Sequence, residues 1–472
     1  SYIFLLIFFD SISLSYFFSA ILIHGLSCII IYFVILKITK DRFASNIAAY
    51  FNSFWFLTQI GGLYVDHLSY FFILVSILIY VLNISKVSKI ILLSIFLSLS
   101  FWTKQTTGAL GSLIAIITYF YINRKFFFNS YLVSIFLSIN FLISILILSI
   151  IFLYSSFDNF LNSFLWYNLD YSKVEENKNP LVLIYNFIAP FKIDIISAIY
   201  NKNLGVIVFY PLVILVYLSY LSLFIFRKYF RDNINLFSIY FFFLFSSLLC
   251  MPMIGRNFVD VVWSLGGVFG LNYYVIKKNN LINQKLLKKI FIFFLLIFIF
   301  ISLLHFIIPK VLTPSKIFND HSLYPLRITE NWGNYVDIES IEKTHNYIKK
   351  NINNSEFATI YLIDDKSILF SILNKIPTVG YNTFFDANIN IPRYYSDYLD
   401  WQKDQINYLR ENDIKYIVSS LKNKKRIFRV RKEQVTKYQK DIMNPKLIID
   451  FIKTRYNVIY TTKDYTIFEI KK

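Results

Sequence analysis

A carboxylate and two cations stand beside apolar runs of the chain, where ionisable side chains are costly and often functional. The carboxylate is Asp66 in GGLYVDH, and the cations are Lys104 in FWTKQ and Arg256 in MIGRNFVD. Fixed cations stabilise a departing phosphate, and a carboxylate can position or deprotonate an attacking hydroxyl or amine. The three residue types together predict a reaction on a phosphate ester held at a membrane surface.

Each of these residues also has a simple structural interpretation. Asp66 suits a solvated loop or the N-cap of the apolar run that follows it. Lys104 can extend its ammonium to the membrane interface, and Arg256 can pair with a carboxylate four residues later. The histidine after Asp66 has no metal-ligand partner nearby in the sequence and is typical of an incidental residue. The candidate catalytic residue is Asp66, and the candidate substrate-binding residues are Lys104, Arg256, His67 and Asp260.

The composition excludes a soluble enzyme, a disordered chain and a disulfide-stapled module. Of 472 residues, 56% are apolar and 16% charged, against about 25% charged residues in a soluble domain. The net charge of +19 lies mostly in short connectors, so no nucleic-acid partner is expected. Cys28 and Cys250 both lie in apolar runs, which predicts neither a disulfide nor a cysteine metal site. No cofactor is indicated, and the sequence leaves open whether the protein binds a divalent cation.

Ten apolar runs predict a polytopic α-helical membrane protein. Several reach the roughly 20 residues that a bilayer requires, and two are short enough to suggest a paired hairpin around Lys104. A single buried helix over 90–121 is the alternative. The runs are 14–37, 43–60, 68–84, 90–103, 107–121, 131–154, 205–226, 235–252, 260–276 and 290–308.

Basic residues in alternate connectors predict the orientation, because Lys and Arg in short loops mark the cytoplasmic side. The intervening short connectors carry only Lys104 and Arg256. The chain is therefore expected in the plasma membrane with both visible ends outside, and one further helix is expected before Ser1. The cytoplasmic connectors carry Lys37, Lys40, Arg42, Lys86, Lys89, Arg124, Lys125, Arg227, Lys228, Arg231, Lys277, Lys278, Lys285, Lys288 and Lys289.

Two regions are then predicted outside the cell. An outer loop over 155–204 mixes aromatic and charged residues and suits helices that lie in the interface. After the transmembrane domain, residues 1–308, the segment 309–472 alternates predicted strands and helices and suggests an extracytoplasmic α/β domain. Its strands are expected at Thr359–Ile363, Lys415–Ser419 and Asn457–Tyr460, and its helices at Ile338–Asn351 and Ser396–Asn412.

The stretch Tyr16–Phe120 resembles the polytopic GT-C glycosyltransferases, which include protein O-mannosyltransferases and lipid A aminoarabinose transferases. The matching features are a basic connector KDR, the small-residue run ASNIAA, an outward acidic residue in YVD, and the passage LSLSFWTKQTTG, which ends at Gly108. The segments DIKYIV and YTIFEI also resemble endings in that family.

The resemblance implies transfer of a sugar from a polyprenyl-phosphate-linked donor to an extracytoplasmic glycan, lipid or protein, among membrane lipids. Asp66 matches the family's second acidic position. The family's catalytic acid lies in the first outer loop, which is expected to begin just before Ser1, and Asp10 is not assigned that role. The alternatives are a transporter or lipid flippase of the cell envelope, which usually shows internal repeats, and a non-catalytic assembly partner.

Overall fold

A computed structural model of the chain contains two compact units, one of apolar helices and one built around a small β-sheet. The structure describes residues 12–58, 65–122, 129–154, 219, 225–226, 230, 233–253, 265–302, 315–318, 326–329, 337–353, 356, 359–363, 398–419 and 446–471.

The helices of the first unit follow the predicted apolar runs to within four residues at either end, except that the helix of the run 260–276 begins five residues late and that of the run 290–308 is shifted by six residues. The run 205–226 and the predicted outer loop 155–204 lie almost entirely outside the described residues. In the described part, the helices are α1 (Ile12–Thr39), α2 (Arg42–Thr58), α3 (Val65–Val81), α4 (Lys86–Thr103), α5 (Gln105–Ile122), α6 (Ser130–Tyr154), α7 (Ile234–Met253), α8 (Leu265–Lys278) and α9 (Gln284–Ser302).

Three segments among the described residues are long and apolar enough to cross a bilayer: Ile21–Thr39, Lys86–Thr103 and Ser130–Leu153. Two shorter apolar helical segments are Leu68–Val81 and Asn235–Leu244. These segments identify the helical unit as a candidate membrane domain, and the full set of ten spans stays a prediction.

Helices α2 and α8 run antiparallel and approach closely because glycines of α8 face small residues of α2. A Cβ atom on Gly270 would lie 2.6 Å from the Ala44 carbonyl oxygen, and one on Gly266 would lie 2.5 Å from that of Ala48. Further along, the rings of Phe51 and Phe269 stack with centroids 4.8 Å apart. Small residues at matched spacing are a common means of helix association in membranes.

The α2–α8 pair ends in a charged contact. Lys277 Nζ lies 2.6 Å from Asp41 Oδ2, and the other oxygen, Asp41 Oδ1, accepts hydrogen bonds from the backbone N–H groups of Phe43 and Ala44 at 3.0 and 3.1 Å. Burial alone would raise the pKa of Asp41, but these hydrogen bonds and the Lys277 charge outweigh it and lower that pKa. Asp41 therefore caps α2 and joins it to α8.

Helices α3, α4 and α5 form successive antiparallel hairpins. Lys89 Nζ in the first turn of α4 donates to the Tyr80 carbonyl at the end of α3, at 2.8 Å. Ser112 Oγ of α5 donates to the Leu97 carbonyl of α4 at 3.4 Å. Residues 97 and 112 could not meet in one continuous helix, so the hairpin interpretation is confirmed and the single helix over 90–121 is wrong.

Helix α6 lies parallel to α4 and joins it through polar side chains. Ser98 hydrogen-bonds Asn140, and Trp102 Nε1 donates to Ser144 Oγ at 3.0 Å. The face of α6 away from these contacts is exposed and apolar, for example at Leu137 and Phe141.

The second unit contains a four-stranded sheet with the order β3–β4–β6–β5, in which β3 and β4 are parallel and the other pairs antiparallel. A separate antiparallel hairpin, β1–β2, precedes it. The elements are β1 (Ser315–Phe318), β2 (Leu326–Thr329), α10 (Ile338–Asn351), β3 (Ile360–Ile363), α11 (Tyr398–Glu411), β4 (Tyr416–Ser419), α12 (Lys446–Arg455), β5 (Tyr456–Thr461) and β6 (Thr466–Ile470).

Helices cover both faces of this sheet, because strand residues alternate between them. Leu362 and Val418 pack with α10 residues such as Ile341. Their neighbours, including Ile363 and Ile417, pack with α11 and α12. The predicted α/β arrangement of the C-terminal segment is therefore confirmed for the described residues.

Candidate active site at the α4–α5 apex

Asp66 and His67 lie inside a helix, not in the loop where the sequence suggested. Helix α3 begins at Val65, so they are its second and third residues. The interpretation of Asp66 as an N-cap is thus wrong, because an N-cap residue precedes the first helical turn. A carboxylate in the first turn still stabilises a helix through its dipole.

Lys104 is the single residue between α4 and α5. Its backbone is extended, with φ −154° and ψ 118°. Its N–H donates to the Ser100 carbonyl at 3.1 Å, and its own carbonyl accepts from the Gly108 N–H at 2.7 Å. Lys104 therefore closes the last turn of one helix and opens the first turn of the next, and its side chain is half-buried.

A reciprocal pair of serines fixes α3 against α4 below this apex. Ser69 Oγ lies 3.0 Å from the Ser100 carbonyl oxygen and 2.9 Å from Ser100 Oγ. Ser100 Oγ in turn lies 2.9 Å from the Ser69 carbonyl oxygen. Both serines are fully buried, so these bonds form away from solvent and hold the two helices in register.

The serine pair sets where Asp66 and Lys104 lie along the bundle. Asp66 is three residues before Ser69, and Lys104 is four residues after Ser100. At about 1.5 Å of rise per residue they lie roughly 4–6 Å beyond the pair, in the same direction because the helices are antiparallel. The structure therefore brings the backbones of Asp66 and Lys104 to one end of one helix pair.

Gly108 permits α5 to turn back against α4 at this end. A Cβ atom there would lie 2.6 Å from Phe101 Cα and would overlap the Ser100 carbonyl oxygen. Such contacts with backbone cannot be relieved by a rotamer change, so the tight hairpin requires glycine. Gly108 ends the LSLSFWTKQTTG passage, and this requirement is the physical role of that glycine.

This end of the helices carries charges of both signs. Helices α3 and α5 begin here, and helix N-termini carry partial positive charge and unpaired N–H groups. Helix α4 ends here with the opposite polarity, capped by the N–H of Lys104, and the parallel helix α6 runs in the same direction. Lys104 adds a full positive charge and Asp66 a full negative one.

The other candidate residues lie outside the described part of the chain: Arg256 and Asp260, together with Asp10. The structure therefore brings together two candidate positions, Asp66 and Lys104. Within the described ranges, no group of three or more His, Cys, Asp or Glu residues could hold a metal ion.

Sequence analysis missed the residues that build the apex. Ser69, Ser100 and Gly108 lie within four residues of Asp66 or Lys104 in the sequence, but no structural role was predicted for them. A signal was present, because small and polar residues inside an apolar helix are typical of helix–helix contacts in membranes. It does not reveal which serine meets which, since that depends on the register of two helices.

Comparison with family models and with curated proteins identifies no relative of this chain. No protein-family model matches the chain, and no curated protein matches it. The likeness to GT-C glycosyltransferases therefore depends on the sequence passages quoted for it, and the function has to be argued from residues and geometry.

Proposed function

We propose that the protein is an integral membrane glycosyltransferase of the GT-C type. It moves a sugar from a polyprenyl-phosphate-linked donor to an extracytoplasmic glycan, lipid or protein. The observation that carries this proposal is the Ser69–Ser100 pair, which sets a carboxylate-bearing helix start and the Lys104 apex at the same end of the bundle. A phosphate leaving group and an acceptor nucleophile require these two kinds of side chain.

In the proposed reaction, an acceptor hydroxyl or amine attacks the anomeric carbon while the bond from that carbon to the phosphate oxygen breaks. The polyprenyl phosphate departs with the bonding electron pair, and Lys104 and Arg256 balance its charge. Asp66 positions the acceptor and takes its proton. His67 and Asp260 contact the bound sugar or acceptor. Displacement from the face opposite the phosphate inverts the anomeric centre.

We also propose that the helical unit spans the plasma membrane many times, with the Lys104 apex and the C-terminal unit outside. The exposed apolar face of α6, with Phe141 67% and Leu153 78% exposed, supports contact with lipid. Its polar residues Asn140 and Ser144 instead contact α4. This distribution is expected of a helix whose apolar face meets hydrocarbon.

The proposal is tested by complementing a deletion of the gene with Asp66→Asn, Lys104→Ala and Arg256→Ala variants. Mass spectrometry of cell-envelope glycans and lipid-linked sugars then reports transfer. Loss of one charge-stabilising or proton-accepting group is expected to reduce transfer about 100-fold. Asp450→Asn and Lys86→Ala remove exposed charges elsewhere and should leave transfer unchanged.

Wild-type transfer by all three site variants would refute the site. A deletion that leaves every envelope glycan unchanged would refute glycosyl transfer and favour a non-catalytic partner. Counterflow of a lipid-linked sugar in liposomes, without consumption of the donor, would identify a flippase instead. Purified wild-type protein in the same liposomes should release polyprenyl phosphate if the proposal is correct.

A further inference from the structure

The opposite end of the helical unit, away from the apex, carries a dense group of exposed cations. Around the α1–α2 connector these are Lys37, Lys40 and Arg42, and around the α8–α9 connector they are Lys278, Lys285, Lys288 and Lys289. The Asp41–Lys277 bond joins the two connectors, and Lys288 Nζ lies 5.4 Å from the centroid of the Phe43 ring. The seven cations, named here the basic corner, therefore belong to one surface.

Within the two connectors themselves, little negative charge offsets the basic corner. Asp41 is the one acidic residue of the segments 37–43 and 277–289. Its carboxylate already binds Lys277 and two backbone N–H groups, and its side chain is only 9% exposed. The Asp41 carboxylate therefore joins α2 to α8 and does not neutralise the seven exposed cations. Their positive charge can attract an anion from outside the protein.

An apolar stripe continues directly from these cations along α9. Residues 285, 289, 293, 296 and 300 are spaced by three or four and so share one face of the helix. The first two are exposed lysines, and Phe293, Leu296 and Phe300 are 61%, 56% and 62% exposed. From Lys289 to Phe300 the helix rises about 16 Å, close to half of the roughly 30 Å hydrocarbon core.

We infer that the basic corner and the α9 stripe form a binding site for an anionic phospholipid of the adjoining leaflet. The phosphate of the headgroup contacts Lys285, Lys288 and Lys289, and the acyl chains lie along the apolar stripe. Clusters of four to eight basic residues beside a membrane helix bind anionic lipids, with about 1 kcal/mol per cation. The inference requires that the helical unit is membrane-embedded, but it does not depend on glycosyl transfer.

The test is native mass spectrometry of the full chain released from vesicles of equal parts phosphatidylglycerol and phosphatidylcholine. Wild type should retain at least fivefold more phosphatidylglycerol than phosphatidylcholine, and the Lys285→Gln, Lys288→Gln, Lys289→Gln triple variant should lose most of this preference. The matched control is Lys350→Gln, Lys403→Gln, Lys453→Gln, which removes the same charge from exposed positions of the other unit. It should behave as wild type.

Equal retention of the two lipids by wild type would overturn the inference, as would equal phosphatidylglycerol retention by the two triple variants. The single variant Lys285→Gln is a milder test, and it should reduce the preference for phosphatidylglycerol only in part. A protein that transfers no sugar but keeps the lipid preference would refute the proposed function and leave this site intact. Extraction of the chain from membranes by alkaline carbonate would refute both.

Discussion

Two groups of helices in the same unit are held together by different physical means. Helices α2 and α8 meet through small residues and stacked rings, with one charged contact at the end. Helices α3, α4 and α6 meet through side-chain hydrogen bonds from serine, asparagine and tryptophan. The first group depends on close backbone approach, and the second depends on pairing polar atoms where water is absent.

The difference indicates which group can carry a polar site. Close packing leaves no room for a ligand between α2 and α8, whereas individual hydrogen bonds align α3, α4 and α6. The Lys104 apex depends on both means of association, because the serine pair aligns α3 with α4 and Gly108 lets α5 approach α4 closely. Single substitutions can remove these contacts one at a time.

The largest effect is expected from Gly270→Val. The new side chain would meet the Ala44 carbonyl and the Ala48 Cβ atom, which lies 2.8 Å from a Cβ at position 270. Forced separation of α2 and α8 should cost about 3 kcal/mol of unfolding free energy or prevent folding. Denaturant titration in micelles measures this. The control is Gly25→Ala, because no atom lies within 4 Å of the added Cβ, and a wild-type-like Gly270→Val would contradict close packing.

An intermediate effect is expected from Asp41→Ala, which removes both the α2 cap and the partner of Lys277. Loss of a cap and of a charged hydrogen bond predicts about 2 kcal/mol at pH 7. Because the folded-state pKa of Asp41 is lowered, its stabilisation is present above the unfolded pKa of about 4 and is lost as pH falls below it. The difference from wild type should therefore shrink as pH falls from about 4 through the lowered folded-state pKa of Asp41. If the difference in unfolding free energy did not change with pH, the loss of stability in Asp41→Ala would come from lost packing and not from the carboxylate charge.

A smaller effect is expected at the serine pair that supports the apex. Ser69→Ala and Ser100→Ala should each cost about 1 kcal/mol. The double variant should cost less than the sum, because each single change already breaks the shared bonds. The same double-mutant cycle applied to sugar transfer would show whether the register of α3 and α4 matters for activity. Strict additivity of the two stability changes would contradict a direct interaction.

The smallest effect is expected from Ser144→Ala, which removes the acceptor of the Trp102 N–H on α6. Side-chain hydrogen bonds between membrane helices average about 0.6 kcal/mol. Trp102→Phe removes the donor and should cost a similar amount plus lost contact area. Both free energies come from the same titration. If Ser144→Ala cost as much as Gly270→Val, the distinction between the two helix groups would fail.

The helices of the described unit could be predicted from the sequence because their signal is local. Runs of apolar residues predicted the described helices of this unit to within four residues at most ends, and to within six residues for α9. In the C-terminal unit, the predicted helix Ile338–Asn351 coincides with α10, and the predicted strands overlap β3, β4 and β5. The hairpin β1–β2, the strand β6 and the helix α12 were not predicted, because short segments of mixed polarity carry little periodic signal.

The contacts between helices could not be predicted, because they depend on register between distant segments. Asp41 looked like a minor part of a basic connector, yet its partner Lys277 lies 236 residues away. Gln402 is a similar case, since its side-chain oxygen accepts hydrogen bonds from the backbone of Leu447 and Ile448 at the start of α12. For the candidate site, the sequence identified Asp66 and Lys104 but not the serines that align them.

The backbone at Lys104 has a consequence for depth in the bilayer. Both backbone polar groups of Lys104 are satisfied within the chain, the N–H by the Ser100 carbonyl and the carbonyl by the Gly108 N–H. A reversal of a single residue therefore leaves fewer amides to be solvated than an ordinary loop does. If the helical unit spans a membrane as proposed, the reversal would need less water around it than a longer connector at the same depth.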